Sequence, residues 1–295
     1  MAAEDLELPL VVIVGPTASG KTSLALEVAK EFGGEIICAD SRTVYKGMDI
    51  GTAKPTGEER SKVPHWGLDL VEPGERFTAA DFKRYTNQKI DEIRSRGHIP
   101  FLVGGTGLYV DAIIFDYQFG TQANEVLRSQ LQELTVEQLH EYCDKNNIPL
   151  PENKSNKRYV IRAIERNGGA IRRNTVPMRS SIIVGIATDR VALRKRIEAR
   201  TEHLFENGVV EEATKLGEIY DWNSEAMTGN IYPLVHLYLE NKISYEEMKE
   251  KITTLDWRLA KRQLTWLKRN PYIKWLSLSE AKGYLAQQLA NEHKS

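Results

Sequence analysis

Residues 8–22 read "LPLVVIVGPTASGKT", and this stretch decides the fold class. The apolar run "LPLVVIV" has the composition of a short buried strand, and "KTSLALEVAKEF" from residue 21 has helical spacing. Between them, Gly15 to Thr22 match the phosphate-loop pattern G-x-x-x-x-G-K-[ST]. A strand, a glycine-rich turn and a helix in this order predict a loop that binds a di- or triphosphate.

The phosphate loop combines several groups that favour a bound polyanion. Its glycines let the backbone turn so that amides point at phosphate oxygens, and Lys21 adds a positive charge. The Thr22 hydroxyl is the predicted Mg²⁺ ligand. The predicted phosphate-binding residues are Gly15, Pro16, Thr17, Ala18, Ser19, Gly20, Lys21 and Thr22.

The rest of the chain predicts an α/β protein with a helical interruption. Apolar strands at 34–40 and 99–105, separated by an amphipathic helix at 78–97, indicate βαβ units and a parallel sheet. Helical patterns without a strand follow, namely "ANEVLRSQLQEL", "TVEQLHEYCDKN" and "NKRYVIRAIERN". We therefore predict a P-loop NTPase-like parallel core built from residues 1–117 and 180–295, with a helical insertion domain at 118–179.

The second half of the core repeats the alternation of strands and helices. A strand is predicted at "SSIIVGIAT" and another at "YIKWLSL", before a final helix. Between these strands, helices are predicted near 190–206, 208–218 and 231–268.

Charge and composition limit the possible partners. Forty Lys and Arg residues against 41 Asp and Glu residues give a net charge of −1, so bulk charge does not predict a polyanion binder. Residues 154–173, however, carry seven basic residues and one acid, and a second basic cluster runs from 258 to 269. Either cluster is a solvated helix face or a nucleic-acid contact. No apolar run reaches about 20 residues and the start is acidic, so we expect a cytoplasmic protein without a membrane partner.

Asp40 ends the second predicted strand, in "GEIICAD". The carboxyl end of that strand faces the same crevice as the phosphate loop. The carboxylate is therefore a candidate Mg²⁺ ligand, general base or helix cap. The third strand ends in "GGTGLY", which puts the Thr106 hydroxyl at this edge as well.

Several segments together resemble the bacterial tRNA dimethylallyltransferases, also called tRNA isopentenyltransferases. They are "GPTASGKT", "DSRTVYKGMDIGTAKP", "FTAADF", "LVGGTGLY", "RAIE" and "AKRQLTW", in the order found in that family. The similarity extends from about residue 10 to residue 277. It implies transfer of a dimethylallyl group from dimethylallyl diphosphate to the exocyclic amine of adenosine 37 in tRNA, with Mg²⁺ and with diphosphate released.

The resemblance also assigns roles to individual residues. It implies that the phosphate loop holds the diphosphate of the prenyl donor, that Asp40 is the general base, and that Thr17 and Thr106 complete the catalytic set. It implies that the helical insertion clamps the anticodon stem-loop, and that the protein is a monomer. The implied tRNA contacts are Asp40, Ser41, Arg42, Thr43, Thr106, Arg128, Arg158, Tyr159, Val160, Ile161 and Arg162.

Two positions differ from the family pattern. Counting back without gaps from "YLENKIS", Thr228 stands where the family usually has an Arg that faces the diphosphate. In "DWRLAKRQ", Arg258 stands one position later than the family's Arg, which is about 100° round a helix.

Three other functions are compatible with parts of the sequence. An adenylate isopentenyltransferase would share the phosphate loop, but it lacks a tRNA-clamping insertion. A small-molecule kinase would leave "YKGMDIGTAKP" unexplained. A tRNA-binding homologue with impaired catalysis would fit Thr228, but it would not need Asp40, Lys21 and Thr22 together.

Overall fold

The computed structural model describes residues 8–120, 124–169, 171–178 and 180–292. The acidic start of the chain and Ala123, where the first helix of the insertion is predicted to begin, lie outside the described residues. The chain divides into two compact units. Unit 1 comprises residues 1–114 and 177–295, and unit 2 comprises residues 115–176. Unit 2 therefore begins and ends three residues before the bounds predicted for the insertion.

Unit 1 is built on a six-stranded parallel sheet with the order β3-β2-β4-β1-β5-β6. In chain order the strands are β1 (Leu10–Val14), β2 (Gly34–Ala39), β3 (His65–Trp66), β4 (Ile99–Gly104), β5 (Ser181–Ile186) and β6 (Lys274–Leu276). The sheet confirms the predicted parallel α/β fold. Strand β3 was not predicted, because two residues paired with Ile36 and Ile37 are too few to give a periodic signal.

Twelve α-helices are present in the described part of the chain. They are α1 (Lys21–Glu31), α2 (Gly57–Lys62), α3 (Ala79–Ser95), α4 (Gly107–Ile114), α5 (Glu125–Glu133), α6 (Val136–Lys145), α7 (Lys157–Glu165), α8 (Arg190–Glu206), α9 (Val209–Ile219), α10 (Tyr232–Leu239), α11 (Tyr245–Leu267) and α12 (Leu278–Glu292). Helices α5, α6 and α7 belong to unit 2, and the others belong to unit 1.

The single helix predicted at 231–268 is wrong, because the chain breaks it into α10 and α11. Asn241 follows α10 with a left-handed backbone at φ +58°. Ser244 then caps α11: its hydroxyl accepts from the Glu247 N–H at 3.2 Å, and the Glu247 carboxylate accepts from the Ser244 N–H at 2.8 Å. This reciprocal capping box starts a new helix.

Buried apolar strands hold unit 1 together. Every residue of β1 is fully buried, which is expected of a central parallel strand covered on both faces. Helices α1 and α12 pack against one face through Leu24, Val28, Leu285 and Leu289. Helices α3 and α4 pack against each other and against β4.

The strand order places three loops at one edge of the sheet. Strand β4 lies between β2 and β1, and all three run parallel. Their carboxyl ends therefore bring Asp40, the Gly104–Thr106 turn and the phosphate loop into the same crevice. No helix among the described residues combines the length and apolarity that a membrane span requires.

Unit 2 has a small core of its own. Helices α5 and α6 each pack against α7. The buried side chains are Leu131, Leu139, Cys143, Ile148, Val160, Ile161 and Ile164. The three helical segments predicted here are confirmed within the residues that the structure describes.

Candidate functional site

A cleft of about 360 Å³ opens at the carboxyl edge of the sheet in unit 1. It brings together the phosphate loop, the end of β2 and the end of β4. The predicted site residues that line it are Thr17, Ala18, Lys21, Thr22, Asp40, Ser41, Arg42, Thr43 and Thr106.

The phosphate loop has the backbone that its sequence predicts. Gly20 precedes α1 with φ +89°, a conformation that favours glycine, and a β-carbon there would lie 2.9 Å from Leu278. The Lys21 Nζ donates to the Pro16 carbonyl at 3.2 Å, so the ammonium lies across the loop. The Ser19 hydroxyl is buried and has no hydrogen-bond partner in the described part of the chain. These groups suit an anion with several oxygen acceptors.

The cleft changes the acid–base chemistry of Lys21. Desolvation is the largest effect, and together with the positive charge of Arg200 it lowers the pKa of Lys21 to about 8, against the opposing effect of Asp40. Lys21 is therefore only partly protonated near pH 8 unless a bound anion stabilises its charge.

Asp40 and Thr106 meet at the ends of β2 and β4. The Thr106 Oγ1 accepts from the Ser41 N–H at 3.1 Å, and the Thr106 N–H donates to the Ala39 carbonyl at 3.2 Å. The strands approach so closely that a β-carbon at Gly104 would lie 2.0 Å from the Ala39 oxygen. The Thr106 hydroxyl can therefore donate its own proton towards the cleft.

Asp40 does not cap a helix. Its Oδ1 accepts a hydrogen bond from the Arg42 N–H at 2.8 Å, and this bond to the residue two positions later forms an Asx turn. Residues 41–56, which follow Asp40, contain no helix. The other carboxylate oxygen accepts no hydrogen bond from the described part of the chain, and the side chain lines the cleft. Of the three roles that the sequence left open, the helix cap is wrong.

The residues after Asp40 divide between the cleft and the protein interior. Thr43 is buried, and its hydroxyl donates to the Asp40 carbonyl at 3.3 Å. The Arg42 guanidinium donates to the Glu225 carbonyl at 2.7 Å and to the Thr228 hydroxyl at 3.5 Å. That hydroxyl in turn donates to the Glu225 carbonyl at 2.7 Å. Arg42 thus fastens this loop to the segment that carries Thr228.

The loop from 44 to 55 is fixed by a buried cation and by an acid from another helix. The Lys54 side chain is fully buried, and its ammonium donates to the Tyr45 carbonyl at 2.6 Å, to Asp49 at 2.7 Å and to Asp69 at 2.5 Å. Glu212 on α9 accepts from three consecutive backbone N–H groups, at 49, 50 and 51, over 2.7–2.8 Å. These contacts show that specific residues of this loop stabilise its own conformation.

The magnesium prediction rests on Thr22, whose exposed side chain stands at the first turn of α1 and lines the cleft. No group of three or more His, Cys, Asp or Glu side chains suited to a metal occurs among the described residues. The donor set therefore fits a Mg²⁺ ion held by one hydroxyl and by phosphate oxygens, as in other phosphate loops.

Unit 2 carries the other predicted contacts, and its residues differ in accessibility. Arg158 and Tyr159 are exposed on α7, whereas Val160 and Ile161 are buried in the core of the unit. Contact through the side chains of Val160 and Ile161 is therefore wrong.

The two remaining basic residues among the predicted contacts share one buried acid. Arg128 and Arg162 both pair with Glu165, at 2.6 Å and 3.0 Å, and the Glu165 side chain is only 3% exposed. Their guanidinium groups therefore have a structural role within the unit.

Helix α11 supplies cleft residues to which the sequence gave no role. The Gln263 Oε1 accepts from the Thr17 N–H at 2.8 Å, and Gln263 belongs to "AKRQLTW", so a signal for it existed. Arg258 is exposed and lies outside the cleft, whereas Arg262 lines it. Other polar lining residues that sequence reasoning missed are Arg200, Asn230, Tyr232 and Asp256.

Comparison with known proteins agrees over most of the chain. The family model described as "IPP transferase" matches residues 43–270, and the model described as "Isopentenyl transferase" matches residues 8–69. A tRNA dimethylallyltransferase from Thermoanaerobacter pseudethanolicus is 38% identical over 95% of both chains. One from Acetivibrio thermocellus is 39% identical over 92% of both chains.

Solved structures give the same result. The tRNA isopentenylpyrophosphate transferase from Bacillus halodurans superposes with a TM-score of 0.74 at 35% identity, covering 97% of this chain and 98% of that one. A eukaryotic dimethylallyltransferase acting on tRNA shares the fold, with a TM-score of 0.76 at 22% identity over 91% of this chain and 73% of that one.

Proposed function

Because the chain belongs to the tRNA dimethylallyltransferase family, an enzyme family that transfers a dimethylallyl group to tRNA, we propose how its cleft performs that reaction. The phosphate loop binds the diphosphate of dimethylallyl diphosphate, and Asp40 receives the exocyclic amine of adenosine 37. The observation that carries this proposal is the convergence of the phosphate loop, Asp40 and Thr106 on one cleft.

The bonds that change are few. The N6 nitrogen of adenosine attacks the allylic C1 of the donor, and the C1–O bond breaks with its electron pair going to diphosphate. The proton of the amine passes to the Asp40 carboxylate, which is a general base in this role. Thr106 donates a hydrogen bond that orients the reacting groups.

The leaving group determines what the phosphate loop has to do. Negative charge grows on the bridging oxygen as the C1–O bond breaks, and donors fixed in advance stabilise it. The Lys21 ammonium and the backbone amides at the start of α1 supply these donors. The Thr17 amide is held by Gln263, which fixes the shape of the loop against the donor.

Magnesium is proposed as the ion that neutralises part of the diphosphate charge. The Thr22 hydroxyl would hold it together with phosphate oxygens, as in other phosphate loops. When bound, the ion supplies charge stabilisation to the departing diphosphate.

The tRNA partner is proposed to use both units. The adenosine must leave its stack to reach a base in a cleft, as it does in other enzymes that act on nucleobases. Asp40, Ser41 and Arg42 lie at the cleft, and Arg158 and Tyr159 give unit 2 an exposed cation and ring suited to phosphates and bases. We propose that the chain acts as a monomer in the cytoplasm, and that the helical insertion is its anticodon-stem clamp.

The direct test is a reaction with purified components. The wild-type protein is incubated with dimethylallyl diphosphate, Mg²⁺ and unmodified tRNA. The tRNA is then digested to nucleosides, and their masses are measured. We expect a dimethylallyl adenosine from position 37. Parallel reactions with AMP, ADP and ATP test the adenylate isopentenyltransferase alternative, and product from these nucleotides but not from tRNA would overturn the proposal.

A further inference from the structure

Helix α8 presents two arginines to the phosphate loop from one of its faces. The Arg196 guanidinium donates to the Ser19 carbonyl at 3.1 Å. Arg200 follows one helical turn later and lines the same cleft as Thr17 and Lys21. The mechanism above gives Arg200 no role, although it is a cation at the edge of the predicted diphosphate site.

Arg200 is held in place by a buried carboxylate. Its Nη1 donates to one oxygen of Asp256 on α11, and the Asn230 Nδ2 donates to the other oxygen at 3.0 Å. The side chains of Arg200 and Asp256 are 21% and 4% exposed. A guanidinium has five N–H groups in a planar fork, so a carboxylate on one side fixes the direction of the others.

The ion pair is not needed to join α8 to α11. These helices already pack through Ile197 and Ala260, and the Thr253 hydroxyl donates to the Thr201 hydroxyl at 3.1 Å. A further link between them, Lys249 to Glu202, measures 2.6 Å. An additional buried charge pair is a weak source of stability, because desolvation offsets its attraction.

Arg42, which also lines the cleft, is less suited to a diphosphate. The Arg42 guanidinium is engaged by the carbonyls of Glu225 and Ala226. Thr228, beside it, contributes a neutral hydroxyl that both donates and accepts. A diphosphate carries several charges, and Lys21 supplies one ammonium.

We propose that Arg200 is a second cationic contact for the donor's diphosphate, and that Asp256, with Asn230, is the positioning residue that directs its guanidinium to the phosphate loop. This inference rests on the proposed function, since it takes the phosphate loop as the diphosphate site. Arg200 acts by direct hydrogen bonds to phosphate oxygens, and Asp256 acts only through Arg200.

The test measures binding of inorganic diphosphate with Mg²⁺ by calorimetry. Arg200→Met should weaken the affinity at least tenfold, and Arg200→Lys should restore part of it. Arg194→Met is the matched control, since Arg194 lies on the same helix but is 68% exposed and pairs with Glu198. The affinity of the Arg194→Met variant for diphosphate should equal that of the wild type.

The Asp256→Asn variant distinguishes two roles for Asp256, the positioning of Arg200 and the neutralisation of positive charge in the cleft. If Asp256 only neutralised the cleft, its removal would strengthen the binding of a polyanion. If it positions Arg200, Asp256→Asn weakens binding about threefold, and in the Arg200→Met background it has no further effect. The double variant also removes the unpaired buried carboxylate that could unfold Arg200→Met.

The outcomes distinguish this inference from the function on which it rests. Failure of the wild type to bind diphosphate would contradict the proposed function. Diphosphate binding that Lys21→Ala abolishes, but that Arg200→Met or the double variant leaves unchanged, would overturn the Arg200 inference alone. Stronger binding by Asp256→Asn would overturn the positioning role.

Discussion

The cleft of unit 1 and the α5–α7 surface of unit 2 both carry basic side chains, but they use them differently. In the cleft, Lys21 is a lining residue, and desolvation lowers its pKa to about 8, which is typical of a cation at a functional site. In unit 2, Arg128 and Arg162 surround the buried Glu165. A run of positive charges along a sequence therefore does not identify a nucleic-acid contact until its internal partners are known.

The largest expected effect is on the chemistry of the cleft. Asp40→Ala should reduce the turnover of tRNA prenylation by about 10²–10⁴-fold, because it removes the general base. The affinities for tRNA and for diphosphate should stay within a few-fold of the wild type, as binding assays would show. A loss of turnover below tenfold would remove Asp40 from the role of base.

The next effect tests the structural side of the comparison. Arg128→Glu should lower the free energy of unfolding by about 3 kcal/mol, because it replaces the main ion-pair partner of the buried Glu165 with a like charge. Urea denaturation measures this loss. Lys145→Glu, an exposed charge reversal on α6, is the control and should leave stability nearly unchanged. Equal stabilities of the two variants would mean that the Arg128 pair does not hold unit 2 together.

An exposed residue of α7 tests the binding of tRNA. Arg158→Glu should weaken tRNA binding about tenfold and reduce its salt dependence, because it removes a cation proposed to meet phosphate. Lys145→Glu on α6, outside the predicted contact stretch, is a charge-matched control for fluorescence titrations. If both variants bind tRNA equally, a specific contact at Arg158 is ruled out.

The smallest effect concerns pH. Since the pKa of Lys21 is lowered to about 8, the side chain is mostly a charged ammonium below that pH and mostly a neutral amine above it. Diphosphate affinity should therefore fall by up to about tenfold between pH 7 and pH 9, because the protonated fraction of Lys21 falls from about 0.9 to about 0.1. Lys21→Arg keeps its charge over this range, so its affinity should fall less with the same ligand. Parallel pH profiles for the two proteins would contradict a titrating Lys21.

The sequence predicted the core of the cleft because its residues lie at the ends of strands. Gly15–Thr22, Asp40 and Thr106 each follow an apolar run, and parallel strands bring such positions to one edge. Strand β3 and the break between α10 and α11 were not predicted from the sequence, because two paired residues and a local capping box leave little periodic signal.

Residues from distant helices could not be predicted in the same way. Gln263, Arg200 and Asp256 reach the cleft from α8 and α11, so their position depends on helix packing. Conversely, the resemblance assigned Val160 and Ile161 to tRNA contact, but their side chains are buried in the core of unit 2. A local match gives residue types, but accessibility depends on the tertiary fold.

In the proposed mechanism, the cleft couples departure of diphosphate to alkylation of one adenosine in tRNA. The most direct test counts both products in one reaction, the diphosphate released and the dimethylallyl adenosine formed, with dimethylallyl diphosphate, Mg²⁺ and unmodified tRNA. We expect one diphosphate for each modified adenosine, and no release without tRNA. Release of diphosphate without modified adenosine, or product from free adenine nucleotides alone, would contradict it.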